Sequence, residues 1–247
     1  MRIKWLAFAA LFVVGSVQTC YATVIFVTLT HDAIYVGADG RATNVDAIGN
    51  EIGVSDVCKI RRFGNIIVAD SGIMTDPWTG LDIWSFFATV KATSVADFSN
   101  QIKTQLPQKY EAAYAELKKR NGRDTKIAVP GDIGVMAFED GKPAFIRIVF
   151  FVQDGTVKAA IKDDGREFDV AGKGIGAETV PIGEANAISL SDFGSLDCDD
   201  GDPVNNTRCL LAAYIKADPK HINQPIAILK LTSTTSEWIE PGACKNQ

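Results

Sequence analysis

Thr23, Asp39, Arg41 and Lys59 are the residues whose types and order could do chemistry together. A threonine hydroxyl is a weak nucleophile at neutral pH and needs a base whose pKa lies near that pH. The α-amine of a chain terminus titrates at ~7.7–8.0, so a threonine placed first in a chain carries nucleophile and base on adjacent carbons. A lysine beside that amine would lower its pKa and favour the proton-accepting form, and an aspartate would hold the lysine in place. Such a group can attack a carbonyl, form an ester and let water release it.

The amino terminus is built to be removed. Met1-Arg2-Ile3-Lys4 is charged, residues 5–14 are apolar, and small or polar residues run to Ala22. The apolar run is shorter than the ~20 residues a bilayer span needs. Ala22 and Cys20 have the small side chains that a signal peptidase requires one and three positions before its cut, so residues 1–22 are expected to leave. Lipidation at Cys20 is the alternative, in the poor context Val17-Gln18-Thr19. The mature chain would then begin at Thr23 and reside in a periplasm or outside the cell.

Of the five cysteines, Cys20 leaves with this leader, and Cys58, Cys198, Cys209 and Cys244 remain. An even number in an exported chain points to disulfides with three possible pairings, free buried thiols being the alternative. Cys198 with Cys209 is the expected pair, closing an acidic loop against a helix start, and Cys58 with Cys244 follows by elimination.

The net charge is −5 with no basic tract, which argues against nucleic acid and against an anionic membrane surface once the leader is gone. Residues 23–247 read as a single domain, without repeats or a low-complexity linker.

Residues 23–29 and 33–38 alternate as strands around a turn at 30–32, and 44–55 is polar, a loop or extended hairpin. Residues 57–62 and 66–69 form a second strand pair. Asp76-Pro77 predicts a helix start, and Ser94 with Asp97 predicts the capping box of a long amphipathic helix that Pro107 should kink or divide. Strands are expected over 133–138, 144–153, 156–162 and 168–172, with turns at Asp140-Gly141 and Asp154-Gly155. A helix over 206–216 and strands at 226–231 and 238–239 close the chain. This order suggests layers of sheet and helix.

Thr23, then Val36-Gly37-Ala38-Asp39-Gly40-Arg41-Ala42-Thr43, then Cys58-Lys59-Ile60, resembles the proteasome β-subunit family of N-terminal-nucleophile hydrolases. The spacing from Thr23 to Asp39 equals the family's, and the loop over 44–55 absorbs the later position of Lys59. The resemblance covers the first third of the mature chain well and the rest more loosely. It implies an α+β fold, a four-layer αββα sandwich of two antiparallel sheets flanked by helices. It implies cleavage of peptide or amide bonds with Thr23 as nucleophile and its α-amine as base, supported by Asp39 and Lys59. Gly72, in the segment Asp70-Ser71-Gly72, would hold the oxyanion through its backbone N–H. Thr43 would pair with an extended substrate strand, and Asp70 would lie near the pocket for a basic side chain, a surface carboxylate being the alternative. No cofactor is implied; the partners would be a peptide or unfolded-protein substrate and further copies of the chain in a homo-oligomer.

The later positions depart from the family's pattern. Gly172-Lys173-Gly174 stands where a Ser-Gly is expected, Asp218 matches the family aspartate, and His221 replaces a second serine. These substitutions motivate an alternative: a binding or assembly protein that has lost the chemistry.

Asp197, Asp199, Asp200 and Asp202 lack the spacing and terminal glutamate of an EF-hand and read as a solvated acidic loop, with no metal site expected. The Asn205-Asn206-Thr207 sequon matters only in a glycosylating host. His31 sits in a turn, and no Gly-x-Ser-x-Gly elbow supports a serine hydrolase.

Overall fold

β-Branched, alternating stretches pair as antiparallel strands throughout the computed structural model, which describes residues 17–19, 23–46, 51–121, 131–163, 178–183, 196, 198 and 201–245. The strands are β1 (Val17–Thr19), β2 (Val24–Leu29), β3 (Ile34–Ala38), β4 (Arg41–Val45), β5 (Glu51–Asp56), β6 (Ile60–Phe63), β7 (Ile66–Asp76), β8 (Leu81–Asp82), β9 (Gly131–Glu139), β10 (Lys142–Gln153), β11 (Thr156–Asp163), β12 (Glu178–Gly183), β13 (Ala227–Leu231) and β14 (Ser236–Glu240). The helices are α1 (Ile83–Thr89), α2 (Val95–Asn121) and α3 (Pro203–Ala217).

The four-layer αββα sandwich does not hold. The structure is 46 % strand, with three helices among the described residues and three antiparallel sheets, and is a sheet-rich fold. Two of these sheets share β7 and run on as one nine-stranded surface, ordered β11-β10-β9-β7-β1-β4-β5 with β6 and β8 also paired to β7; the third is ordered β12-β2-β3-β13-β14.

The physical reason lies in segments that take strand pairing where the sequence reads otherwise. Of the stretch 44–55, residues 44–45 and 51–55 lie in the paired strands β4 and β5, and β5 is largely exposed. Strand β7 runs through Gly72 to Asp76, where a helix start is expected. Asp76 instead closes a turn, accepting from the Trp78 backbone N–H and the Thr79 hydroxyl. Asp82 is the N-cap of α1, accepting from Trp84 N and Ser85 N. Strand β12, unexpected because Pro181 argues against a strand, is tolerated at a sheet edge.

Other elements form as expected. Asp140 and Gly141 (φ 51° and 75°), like Asp154 and Gly155 (φ 51° and 77°), turn the two hairpins of β9, β10 and β11. Ser94 Oγ accepts from Asp97 N at the start of α2; Pro107, expected to kink or divide this helix, does not divide it. The expected strand over 168–172 lies outside the described residues, as do Gly172, Lys173, Gly174 and most of the acidic loop and leader.

Packing follows from the alternation. Ile66, Val68, Ile133 and Val135 pack with Phe87, Phe98 and Tyr110 from α1 and α2. Ile25, Val27, Val36, Ile67, Ala69 and Met136 form a core joining the two sheet surfaces. Leu211 and Tyr214 of α3 pack on Val24 and Phe26. Cys58 joins Cys244 and Cys198 joins Cys209, a pattern that fits an oxidising compartment. No helix among the described residues is long and apolar enough to cross a membrane.

Candidate functional site

Strand β3 ends where the chain must turn to enter β4, and Asp39 is the residue at that turn. Its carboxylate is held from two directions: Oδ1 accepts from Val24 N at 3.1 Å and Oδ2 from Arg41 N at 3.1 Å. Asp39 is therefore fixed to the first residue of β2 and to the first residue of β4, the strand it precedes.

Lys59 arrives from the irregular stretch 57–59 between β5 and β6. Val57 N donates to Gly40 O at 2.8 Å, and Lys59 O accepts from Asp70 N at 2.9 Å, so the backbone is anchored on both sides. The ammonium donates to Thr23 Oγ1 at 2.8 Å and to Asp39 Oδ1 at 2.8 Å. Both side chains of the ion pair are 0 % exposed. Burying two charges costs several kcal/mol per ion, which the pairing and the extra hydrogen bonds must offset. Thr23, also buried, thus sits at the end of a chain from Asp39 through Lys59 to its own hydroxyl.

Gly183 and Ser71 complete the wall around Thr23, a contact that sequence reasoning missed. Gly183 lies opposite Val24 in the β12–β2 ladder with φ 96°, and a Cβ there would stand 2.2 Å from Thr23 O and 2.6 Å from Ser71 Oγ. Only glycine allows this approach. Asp132 holds Gly183 in place: it accepts Gly183 N at 2.8 Å and takes both Nε and an Nη of Arg147, at 3.0 and 2.8 Å. No local motif marks this group, because strand pairing assembles it from β7, β9, β10 and β12.

Gly72 is on β7 where its ladder changes partner. It faces Gly131 of β9, while Ile73 faces Thr19 of β1, and its φ of 152° suits a residue without a side chain. Thr43 is buried in β4, opposite Val54 on one side and Thr19 on the other.

Asp70 is fully buried, and neither carboxyl oxygen has a hydrogen-bond partner among the described residues. Burial pushes its carboxyl well above the usual carboxylate range; the Asp132 charge adds to the rise and Lys59 opposes it. It is an interior carboxyl group, not a surface carboxylate.

Asp218 is tied to the site indirectly. It is the C-cap residue of α3, and its carboxylate lies 2.9 and 3.0 Å from His221 Nδ1. Partial burial raises its pKa, but hydrogen bonds from His221 and the Lys220 backbone outweigh that and hold it below the usual range. The link to the Asp39 turn runs through the backbone: the Arg41 guanidinium donates to the carbonyls of Pro219 and Lys220, and Gly40 N to Asn223 O.

Comparison with known proteins finds no matching family model and no matching curated sequence.

Proposed function

We propose that this chain is an exported hydrolase of peptide or amide bonds, acting through Thr23 once the leader has been cut away before it. The observation that carries the reading is the position of the Lys59 ammonium, 2.8 Å from both Thr23 Oγ1 and Asp39 Oδ1 in a sealed interior. The freed α-amine accepts the hydroxyl proton as Oγ1 bonds to the substrate carbonyl carbon. The same amine then protonates the leaving nitrogen as the carbon–nitrogen bond breaks. Water, deprotonated by the amine, hydrolyses the ester and returns the proton to Oγ1. Lys59 lowers the amine's pKa, and Gly72 supplies a backbone donor to the oxyanion.

The leader itself supports a peptide substrate. Strand β1 lies between β4 and β7, antiparallel to both, with Thr19 opposite Thr43 and Ile73. Its removal leaves two strand edges about 9–10 Å apart, a gap that one extended peptide fills with backbone hydrogen bonds. A peptide running as β1 does would approach Thr23 from its amino-terminal side. Periplasmic or secreted location, which the leader and the disulfides support, and homo-oligomeric assembly, which the resemblance to proteasome β-subunits implies, belong to the same proposal.

A binding or assembly protein without turnover is the second reading, favoured by the engagement of Asp218 with His221. Sequencing the amino terminus of the exported protein tests the first. A chain beginning at Thr23 is the expected result; any other start removes the base and defeats the mechanism.

A further inference from the structure

The stretch 57–59 that delivers Lys59 belongs to no strand, and one backbone hydrogen bond at each end holds it, leaving Cys58 between them. Cys58, the residue before Lys59, is disulfide-bonded to Cys244 at a sequence separation of 186. Cys244 ends the short 3-10 turn Gly242–Cys244, which lies against the start of β13; a Cβ on Gly242 would stand 2.3 Å from Ile226 O. In β13, Ala227 pairs with Ala38 of β3, and Ala38 immediately precedes Asp39. The bond therefore closes a circuit: Lys59, Cys58, Cys244, β13, β3, Asp39 and back to the Lys59 ammonium. Cys58, Cys244, Ala38 and Ala227 share one buried cluster, so the circuit is packed as well as bonded.

We propose that the Cys58–Cys244 disulfide is a positioning element for Lys59, holding it between Asp39 and Thr23 and making the site dependent on an oxidising compartment. This rests on the reading of Thr23 as nucleophile. The other disulfide is the contrast. Cys198–Cys209 joins residues separated by 11 positions beside α3, and Cys198 packs in the cluster of Val24 and Phe26 rather than that of Cys58. Reduction of Cys58–Cys244 by a dithiol takes two electrons and two protons, gives two cysteine thiols and turns the reagent into its own cyclic disulfide. Without the bond, the 57–59 stretch keeps the Val57–Gly40 and Asp70–Lys59 backbone bonds but loses its covalent anchor.

The test uses the mature protein carrying Cys198→Ala and Cys209→Ala, so that Cys58–Cys244 is the remaining disulfide. Lys59 is followed by its reaction with an amine-acylating reagent, read by peptide mass mapping, and Thr23 by its rate of labelling with a β-lactone. Before reduction, Lys59 should resist acylation and Thr23 should label. After reduction by a dithiol, Lys59 acylation should rise about ten-fold or more through local opening, and Thr23 labelling should slow by up to ~10²-fold. Circular dichroism should stay folded throughout, and Cys58→Ala/Cys244→Ala in the same background should behave as the reduced protein. Lys59 protected as before after reduction would overturn the proposal. So would cooperative unfolding on reduction, because the bond would then hold the whole domain instead of one side chain. Failure of the nucleophile reading looks different: Thr23 stays unlabelled with the disulfide intact, while Lys59 protection still responds to reduction.

Discussion

Asp39 and Asp70 are both buried close to Lys59, at 1 % and 0 % exposure, yet their surroundings are opposite. Asp39 collects two backbone N–H groups and the ammonium, while Asp70 collects no hydrogen bond among the described residues. Equal burial is therefore met by hydrogen-bond partners at one carboxyl group and not at the other. Asp39 ends a strand at a turn, where free N–H groups point at it. Asp70 lies mid-strand, where N–H groups are committed to ladders.

The contrast predicts unequal responses to mutation. Asp39→Asn has the largest expected effect, because it leaves the Lys59 ammonium buried without its counter-charge. Stability measured by urea unfolding should fall by ~3–5 kcal/mol and Thr23 labelling should be lost. A fall near zero would mean that water reaches the pair. Lys59→Met should cost less in stability, about 2–4 kcal/mol, since Asp39 keeps its two backbone donors. Its effect on turnover should still be large, a loss of about 10²–10³-fold, with the pH–rate profile of the amine moved upward.

Gly183→Ala comes next. The new methyl meets Thr23 O and Ser71 Oγ and forces a left-handed φ on alanine, so we expect a loss of ~1–3 kcal/mol. Gly155→Ala, in a hairpin turn with no atom within 4 Å of its Cβ position, is the control for backbone conformation alone.

Asp70→Asn should have the smallest effect, and its sign should depend on pH. The folded protein holds the Asp70 proton above the pH at which the unfolded chain releases it, since burial raises the folded pKa. Stability contributed by the protonated group is complete below the unfolded value, near ~4, and declines as pH rises toward the folded one. The asparagine variant lacks that decline. Unfolding free energies of the two proteins should nearly agree at low pH and diverge in favour of the variant as pH increases. Divergence in the other direction would show that Asp70 is ionised and paired in the fold.

The sequence made the first half of the site legible because its parts are local or nearly so. Thr23 and Asp39 flank the β2–β3 hairpin, Arg41 opens β4, and Lys59 immediately precedes β6, so the four stand close together along the chain. Gly183, Asp132 and Arg147 were not legible, and Ser71 only as a member of the segment 70–72, since β12 meets β2 across more than half the chain and carries a proline. The helix start was misplaced because Asp76-Pro77 has the chemistry of a cap, which the structure uses to close a turn ahead of Asp82. The layer expectation failed for a related reason: residues read as loop or helix start extend strands in β4, β5 and β7.

Treating the mature protein with a β-lactone and mapping the adduct by mass spectrometry tests the central claim most directly. A single ester on Thr23 Oγ, absent in Thr23→Ala, is the predicted result. An unmodified Thr23, or an adduct on another residue that persists in Thr23→Ala, would contradict it.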